Sequence, residues 1–252
     1  MLIKKIIKKS FEFLGFEIRK KKSNFDDIYK KKIRKNPLIF DIGANQGQSI
    51  ERFKKIFEQP NIHAFEPIKS EFNILKEKYY SDKNITLNNL AVGNINNQKK
   101  FFYVNAKTST SSFNKLKSNT KWLKTRSKEL NISTNKFIKE IVKINIVTID
   151  NYCLKNNIKK IDILKIDTQG YEDKILEGAQ KVLSSGIVSI IELEIMFDNV
   201  YQKYLTFSKI EKFLIHNNFR LGGINLTNNN LFFNISFFAD VFYFNKKKIN
   251  VS

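Results

Sequence analysis

Two short stretches hold residues whose types and spacing suit chemistry. In the first, Leu38-Ile39-Phe40-Asp41-Ile42-Gly43-Ala44-Asn45-Gln46-Gly47, an apolar run ends in an acid and breaks at once into a glycine turn. Too short for a helix and bounded by turn residues, the run predicts a strand buried on both faces. Gln48 to Phe57 then spaces its apolar residues as a helix does, so Gly47 stands where a turn becomes a helix N-terminus and a ligand can approach the backbone. In the second stretch, Ile161-Asp162-Ile163-Leu164-Lys165-Ile166-Asp167-Thr168-Gln169-Gly170-Tyr171-Glu172, the strand period of two puts Ile163, Lys165 and Asp167 on one face. A lysine inside an apolar strand is costly unless paired. Asp167 ends that strand, where ligands gather in open α/β sheets, and Glu192 and Glu194 share a face near the end of the next predicted strand, Ile187 to Ile195.

The first turn lacks the G-x-G-x-x-G spacing of a dinucleotide site. Its strand-end carboxylate, Asp41, would repel a pyrophosphate but suits a ligand with an amino group. About twenty residues on, Ile62-His63-Ala64-Phe65 predicts a second strand ending in Glu66-Pro67, an acid placed for both hydroxyls of a ribose. A cationic amino-acid end and a ribose end together describe S-adenosylmethionine better than NAD. A third strand, Ile85 to Asn88, leads to Asn89-Leu90-Ala91-Val92-Gly93 at the edge where an adenine would lie, with Asn89 offering an amide and Ala91 a small surface.

These residues need a sheet to position them, and 252 residues suffice for one domain with decorations. The net charge of +21 invites nucleic acid or an anionic membrane. The chain is also loaded with Asn, Ile, Phe and Lys, so charge alone assigns no partner. A single cysteine, Cys153, excludes a disulfide scaffold and cysteine-ligated zinc and fits a reducing cytoplasm. No apolar run approaches the roughly 18 residues of a spanning helix, and a signal peptide is not predicted.

Residues 1–36 form a basic leader before a fold expected to start at Pro37 and run to 252. Leu2, Ile3, Ile6, Ile7, Phe11 and Leu14 share a helical face opposite Lys4, Lys5, Lys8 and Lys9. Such a helix either packs on the domain or lets residues 1–22 touch an anionic membrane face. Helices are expected at 69–80, 150–156, 171–183 and 207–217, and strands at 99–104, 141–149, 219–224 and 238–244, the last pair as a hairpin at the sheet edge. Residues 106–140 are a basic, hydroxyl-rich excursion, the mark of a lid or binding loop, with Trp122 as its anchor.

Asp41-Ile42-Gly43-Ala44-Asn45-x-Gly47, Phe65-Glu66-Pro67, Asn89-x-Ala91-Val92 and Leu164-Lys165-Ile166-Asp167-x-Gln169-Gly170-Tyr171-Glu172 together resemble the FkbM-type methyltransferases. Leu176-x-Gly178-Ala179, and Glu194-Ile195-x-Phe197 with Tyr201, extend the resemblance to about 38–244. It implies a class I methyltransferase fold: a Rossmann-like α/β sheet of seven mostly parallel strands, the last antiparallel. It also implies O-methylation of a hydroxyl of a sugar, in a surface polysaccharide or glycan precursor, or of a secondary metabolite. By position, Gly43, Asn45 and Gly47 would line the methionine end, Glu66 the ribose, Asn89 and Ala91 the adenine, with Pro67 also in the cofactor site, and Asp167 would stand beside the transferred methyl.

An alcohol is a poor nucleophile, so a base is needed: Asp167 first, Glu194 second, with Lys165 as electrostatic partner. Catechol-type O-methyltransferases carry magnesium ligands at these two strand ends, so Asp167 and Glu194 could share a divalent cation, though none is required. The turn Asp167-Thr168-Gln169-Gly170 is not the D/N-P-P-Y of many N-methyltransferases, and His63 and His216 suggest no triad. A small-molecule or glycan acceptor is therefore expected rather than nucleic acid. The competing readings are a nucleic-acid methyltransferase using the basic excursion, whose binding would fall steeply with salt, and a non-catalytic membrane-associated partner.

Overall fold

The computed structural model describes residues 24–197, 200–204, 206–226 and 238–249. The amphipathic pattern of residues 1–22 lies outside them. The first half of the chain forms α1 (Phe25–Lys32), β1 (Leu38–Ile42), α2 (Gln48–Ile56), β2 (Asn61–Phe65), α3 (Lys69–Tyr79), β3 (Ile85–Asn88), β4 (Ala91–Val92) and β5 (Gln98–Asn105). There follow α4 (Lys121–Glu129), β6 (Ile138–Val147), α5 (Ile149–Lys155), β7 (Ile161–Ile166), α6 (Glu172–Glu177), α7 (Gln180–Ser184), β8 (Val188–Met196), α8 (Phe207–Leu214), β9 (Phe219–Leu226) and β10 (Phe238–Asn245).

Seven strands form one sheet in the order β3-β2-β1-β7-β8-β10-β9. β10 alone runs against its neighbours β8 and β9, which is the class I methyltransferase arrangement. The alternation along each strand divides the core in two. Phe40, Ile42, Leu164, Ile166, Ile191 and Leu193 pack with α5 to α8, while Ile39, Ile163, Ile190 and Phe242 pack with α1 to α3. The short apolar runs had predicted this burial on both faces, because a parallel sheet leaves neither face to water.

Several expectations are corrected. The packed structure begins before Pro37: Tyr29 of α1 is fully buried, and its hydroxyl donates to Glu192 at 2.6 Å. The helix expected over 171–183 is two helices, broken at Gly178, where a Cβ would stand 2.0 Å from the Gly93 carbonyl oxygen. The last two strands do pair antiparallel at the sheet edge as expected, with β9 outermost and β10 one strand in. Cys153, a residue of α5, is buried in the core, and burial pushes its thiol up to about 12.

A second sheet, β4-β6-β5, flanks the first. The excursion leaves from β5 and returns through β6. It has a core of its own, in which Leu116, Trp122, Leu123 and Phe137 meet Met196, Val200 and Tyr201. Trp122 is thus an anchor.

Candidate active site

Backbone hydrogen bonds draw the strand tips together. Gly43 N and Ala44 N both donate to Phe65 O, and Asp167 N donates to Ile42 O, each at 3.0 Å. Gly43 has φ +86°, and a Cβ on it would lie 2.0 Å from the Asp167 carbonyl oxygen, so the closeness of the β1 and β7 tips requires glycine. At these tips opens a cavity lined by Gly43, Asn45, Glu66, Pro67, Ala91 and Asp167 among the residues singled out from the sequence. Phe65, Val92, Phe102, Phe113 and Tyr171 make one part of it apolar, and Thr108, Ser109 and Ser111 reach in from the excursion.

Glu66 is 4% exposed. Its Oε2 accepts from Asn45 N and its Oε1 from Ile68 N, both at 2.8 Å. Burial raises its pKa to about 7 against the pull of those two N–H bonds. Each oxygen keeps a lone-pair direction for a further donor, as a vicinal diol supplies.

Three residues assigned to this cavity are not in its lining. Asp41 is fully buried on the opposite side of the sheet tip, and its carboxylate faces Lys165 Nζ at 3.6 Å. Neither of its oxygens has a hydrogen-bond partner among the described residues; burial raises its pKa while Lys165 opposes the shift. Asn89 turns its amide back to Glu66 O and Pro67 O, at 2.9 and 3.2 Å, and so holds the Glu66-Pro67 turn. Gly47, at φ +90°, starts α2 under Tyr79, whose hydroxyl would be 2.8 Å from an added Cβ.

The structure does bring Lys165, Asp167 and Glu194 together. Lys165 Nζ donates to Asp167 Oδ2 at 3.3 Å. Burial alone would lower the lysine pKa, but Asp167, Asp41 and Glu192 raise it above the ordinary value, so the ammonium is held charged. Gln169, φ +58°, turns its side chain back over the strand tip. Its Nε2 donates to Asp167 Oδ1 at 3.0 Å and to Glu194 Oε2 at 2.9 Å, while Tyr201 donates from its hydroxyl to Gln169 Oε1 at 3.3 Å. Burial and the charges of Asp167, Glu172 and Asp240 raise Glu194 well above the carboxylate range.

The turn itself is held by Glu172, whose Oε1 accepts from Thr168 N and Gly170 N at 3.0 and 3.1 Å. Gln169, Glu172 and Tyr201 stand in the quoted motifs, but only the left-handed backbone at Gln169 and Gly170, a tertiary outcome, gives them this work. The amide of Gln169 occupies the bridging position proposed for a cation. Among the described residues no group of three His, Cys, Asp or Glu could hold a metal.

A second cavity is also lined by Asp167 and Gln169. Glu194, Met196 and Phe238 line it from the sheet, and Lys107, Ser109, Thr110, Trp122 and Arg126 from the excursion. The first cavity fits S-adenosylmethionine by its own features: an apolar part for the base, a carboxylate with spare lone pairs for the ribose, and the left-handed Gly43 turn at its wall. Glu66 would hold the ribose, Ala91 and Pro67 would flank the base, and Gly43 and Asn45 would face the amino-acid end.

Residues 41–221 match the model of the methyltransferase FkbM domain. No curated protein matches the chain. Among solved structures it is similar to a candidate S-adenosylmethionine dependent methyltransferase from Listeria monocytogenes, at 7% identity and TM-score 0.48, covering 86% of this chain and 96% of that one. Methanococcus jannaschii fibrillarin, a pre-rRNA processing protein, gives 10% identity and TM-score 0.45 over 87% of this chain and 72% of that one. The Burkholderia thailandensis 1,6-didemethyltoxoflavin-N1-methyltransferase gives 6% and 0.44, over 84% and 72%. With the family model spanning most of the chain, and its strand tips shaped for the methyl donor, this chain belongs to the FkbM methyltransferase family and its chemistry is S-adenosylmethionine-dependent methyl transfer.

Proposed function

We propose that the protein is an O-methyltransferase acting on a hydroxyl of a sugar, in a glycan or glycan precursor, or of a similarly hydroxylated small molecule. The observation that supports this is that Asp167 lines both cavities. A carboxylate standing between a donor site and an acceptor site is where the proton of an attacking hydroxyl must go. When bound, S-adenosylmethionine supplies a sulfonium methyl open to in-line displacement by oxygen. The chain holds the acceptor oxygen on that line, an orientation worth roughly 7–11 kcal/mol.

Asp167 accepts the hydroxyl proton, which contributes about 10²–10⁴-fold. Lys165 and Gln169 fix the two oxygens of that carboxylate. Glu194, held toward its protonated form by burial and its carboxylate neighbours, fixes the far side of the Gln169 amide and so positions the base instead of replacing it. Incubation with methyl-labelled donor and a panel of nucleotide-linked and polymeric sugars is expected to give a labelled methyl ether. Label appearing only on RNA or DNA added in parallel would reject the reading.

A further inference from the structure

We infer that the acceptor carries an anionic group, a phosphate or a carboxylate, held by Arg126 and Lys107 while its hydroxyl faces Asp167. The inference rests on the methyltransferase reading of the site and narrows its acceptor. The second cavity meets charge of both signs: the Asp167 carboxylate on the sheet side, and Lys107 and Arg126 on the excursion side. A ligand with a hydroxyl at one end and an anion at the other has one favourable orientation there, which a neutral sugar lacks.

Arg126 is pre-set for such a group. It lies 5.9 Å over the Trp122 ring, and the Trp122 ring is itself locked in the excursion core. Its Nη1 donates to Glu129 at 2.8 Å, with the arginine side chain 18% exposed. Glu129 satisfies one edge of the guanidinium. Nε, out of solvent, has no hydrogen-bond partner among the described residues. A planar guanidinium set over the Trp122 ring matches paired oxygens of carboxylate or phosphate. Lys107 is exposed and adds a mobile charge at the rim, next to Ser109, which lines both cavities.

Calorimetry on the full chain with S-adenosylhomocysteine present tests this, with pyrophosphate and D-glucuronate as probes and methyl glucoside as the neutral control. At least one anion is expected to bind more tightly than the control. Arg126→Gln should weaken it about tenfold, and Lys107→Gln in the same direction by less, with S-adenosylhomocysteine affinity unchanged in both. Pyrophosphate binding alone selects a phosphate-bearing acceptor, glucuronate alone a carboxylate-bearing one. If neither anion binds although S-adenosylhomocysteine does, or if both variants bind the anion as the parent does, the inference is overturned and the methyltransferase reading stands. Failure to bind S-adenosylhomocysteine overturns both. Should Arg126→Gln not fold, the exposed Lys107→Gln carries the comparison.

Discussion

Glu66 does two jobs that respond oppositely to pH. The folded, ligand-free protein holds its proton more tightly than the unfolded chain, so its contribution to stability is present below the usual glutamate pKa of about 4.3 and is lost as pH rises through about 7. Binding a ribose diol favours the ionised form, so S-adenosylhomocysteine affinity should climb as pH rises through about 7 and then level. Titration calorimetry at several pH values should show that climb and its absence in Glu66→Gln; identical profiles would remove Glu66 from the ribose site. The sequence identified this residue because an acid at a strand tip points where ligands bind. Asp41 has the same local look yet faces Lys165, which β7 places beside it in register. That partner comes from residues more than a hundred positions away, and nothing near Asp41 reveals it. Asn89 was misread for a related reason: its amide satisfies the carbonyls of a neighbouring turn instead of a ligand.

At the scale of elements, the glycine turn after β1 and the left-handed turn after β7 set the geometry jointly. Gly43→Ala should cost roughly 1–3 kcal/mol from backbone strain alone and more from the clash with the Asp167 carbonyl, because backbone there cannot give way. Thermal unfolding should fall by several degrees, with donor-product binding lost; a variant that melts and binds like the parent would show that the β1 and β7 tips have room to part. The strands were legible because apolar runs of four to ten residues between turn signals have few alternatives. Helices α6 and α7 were not separable, since the break at Gly178 answers a backbone contact from Gly93. The second sheet was likewise hidden: β4 is two residues long, and its partner β6 lies beyond the excursion.

Across the whole molecule, the sheet order puts the β1, β2 and β7 tips on one side of Asp167 and the β8 tip with the excursion on the other. The excursion supplies lining to both cavities, and Asn45 Nδ2 donates across to Thr108 Oγ1 at 3.5 Å. Residues within 107–126 therefore line the same two cavities that the sheet lines. Their composition signalled a binding loop, but its core against Tyr201 and Met196 depends on residues that follow much later in the chain. Among the described residues no helix is long and apolar enough to cross a membrane. In the proposed mechanism Asp167 acts between two bound molecules rather than holding either one. S-adenosylhomocysteine affinity and methyl-transfer turnover, measured side by side for the parent and Asp167→Asn, test it directly. Affinity should stay within about twofold while turnover falls about 10²–10⁴-fold; equal loss of both, or turnover left intact, would contradict it.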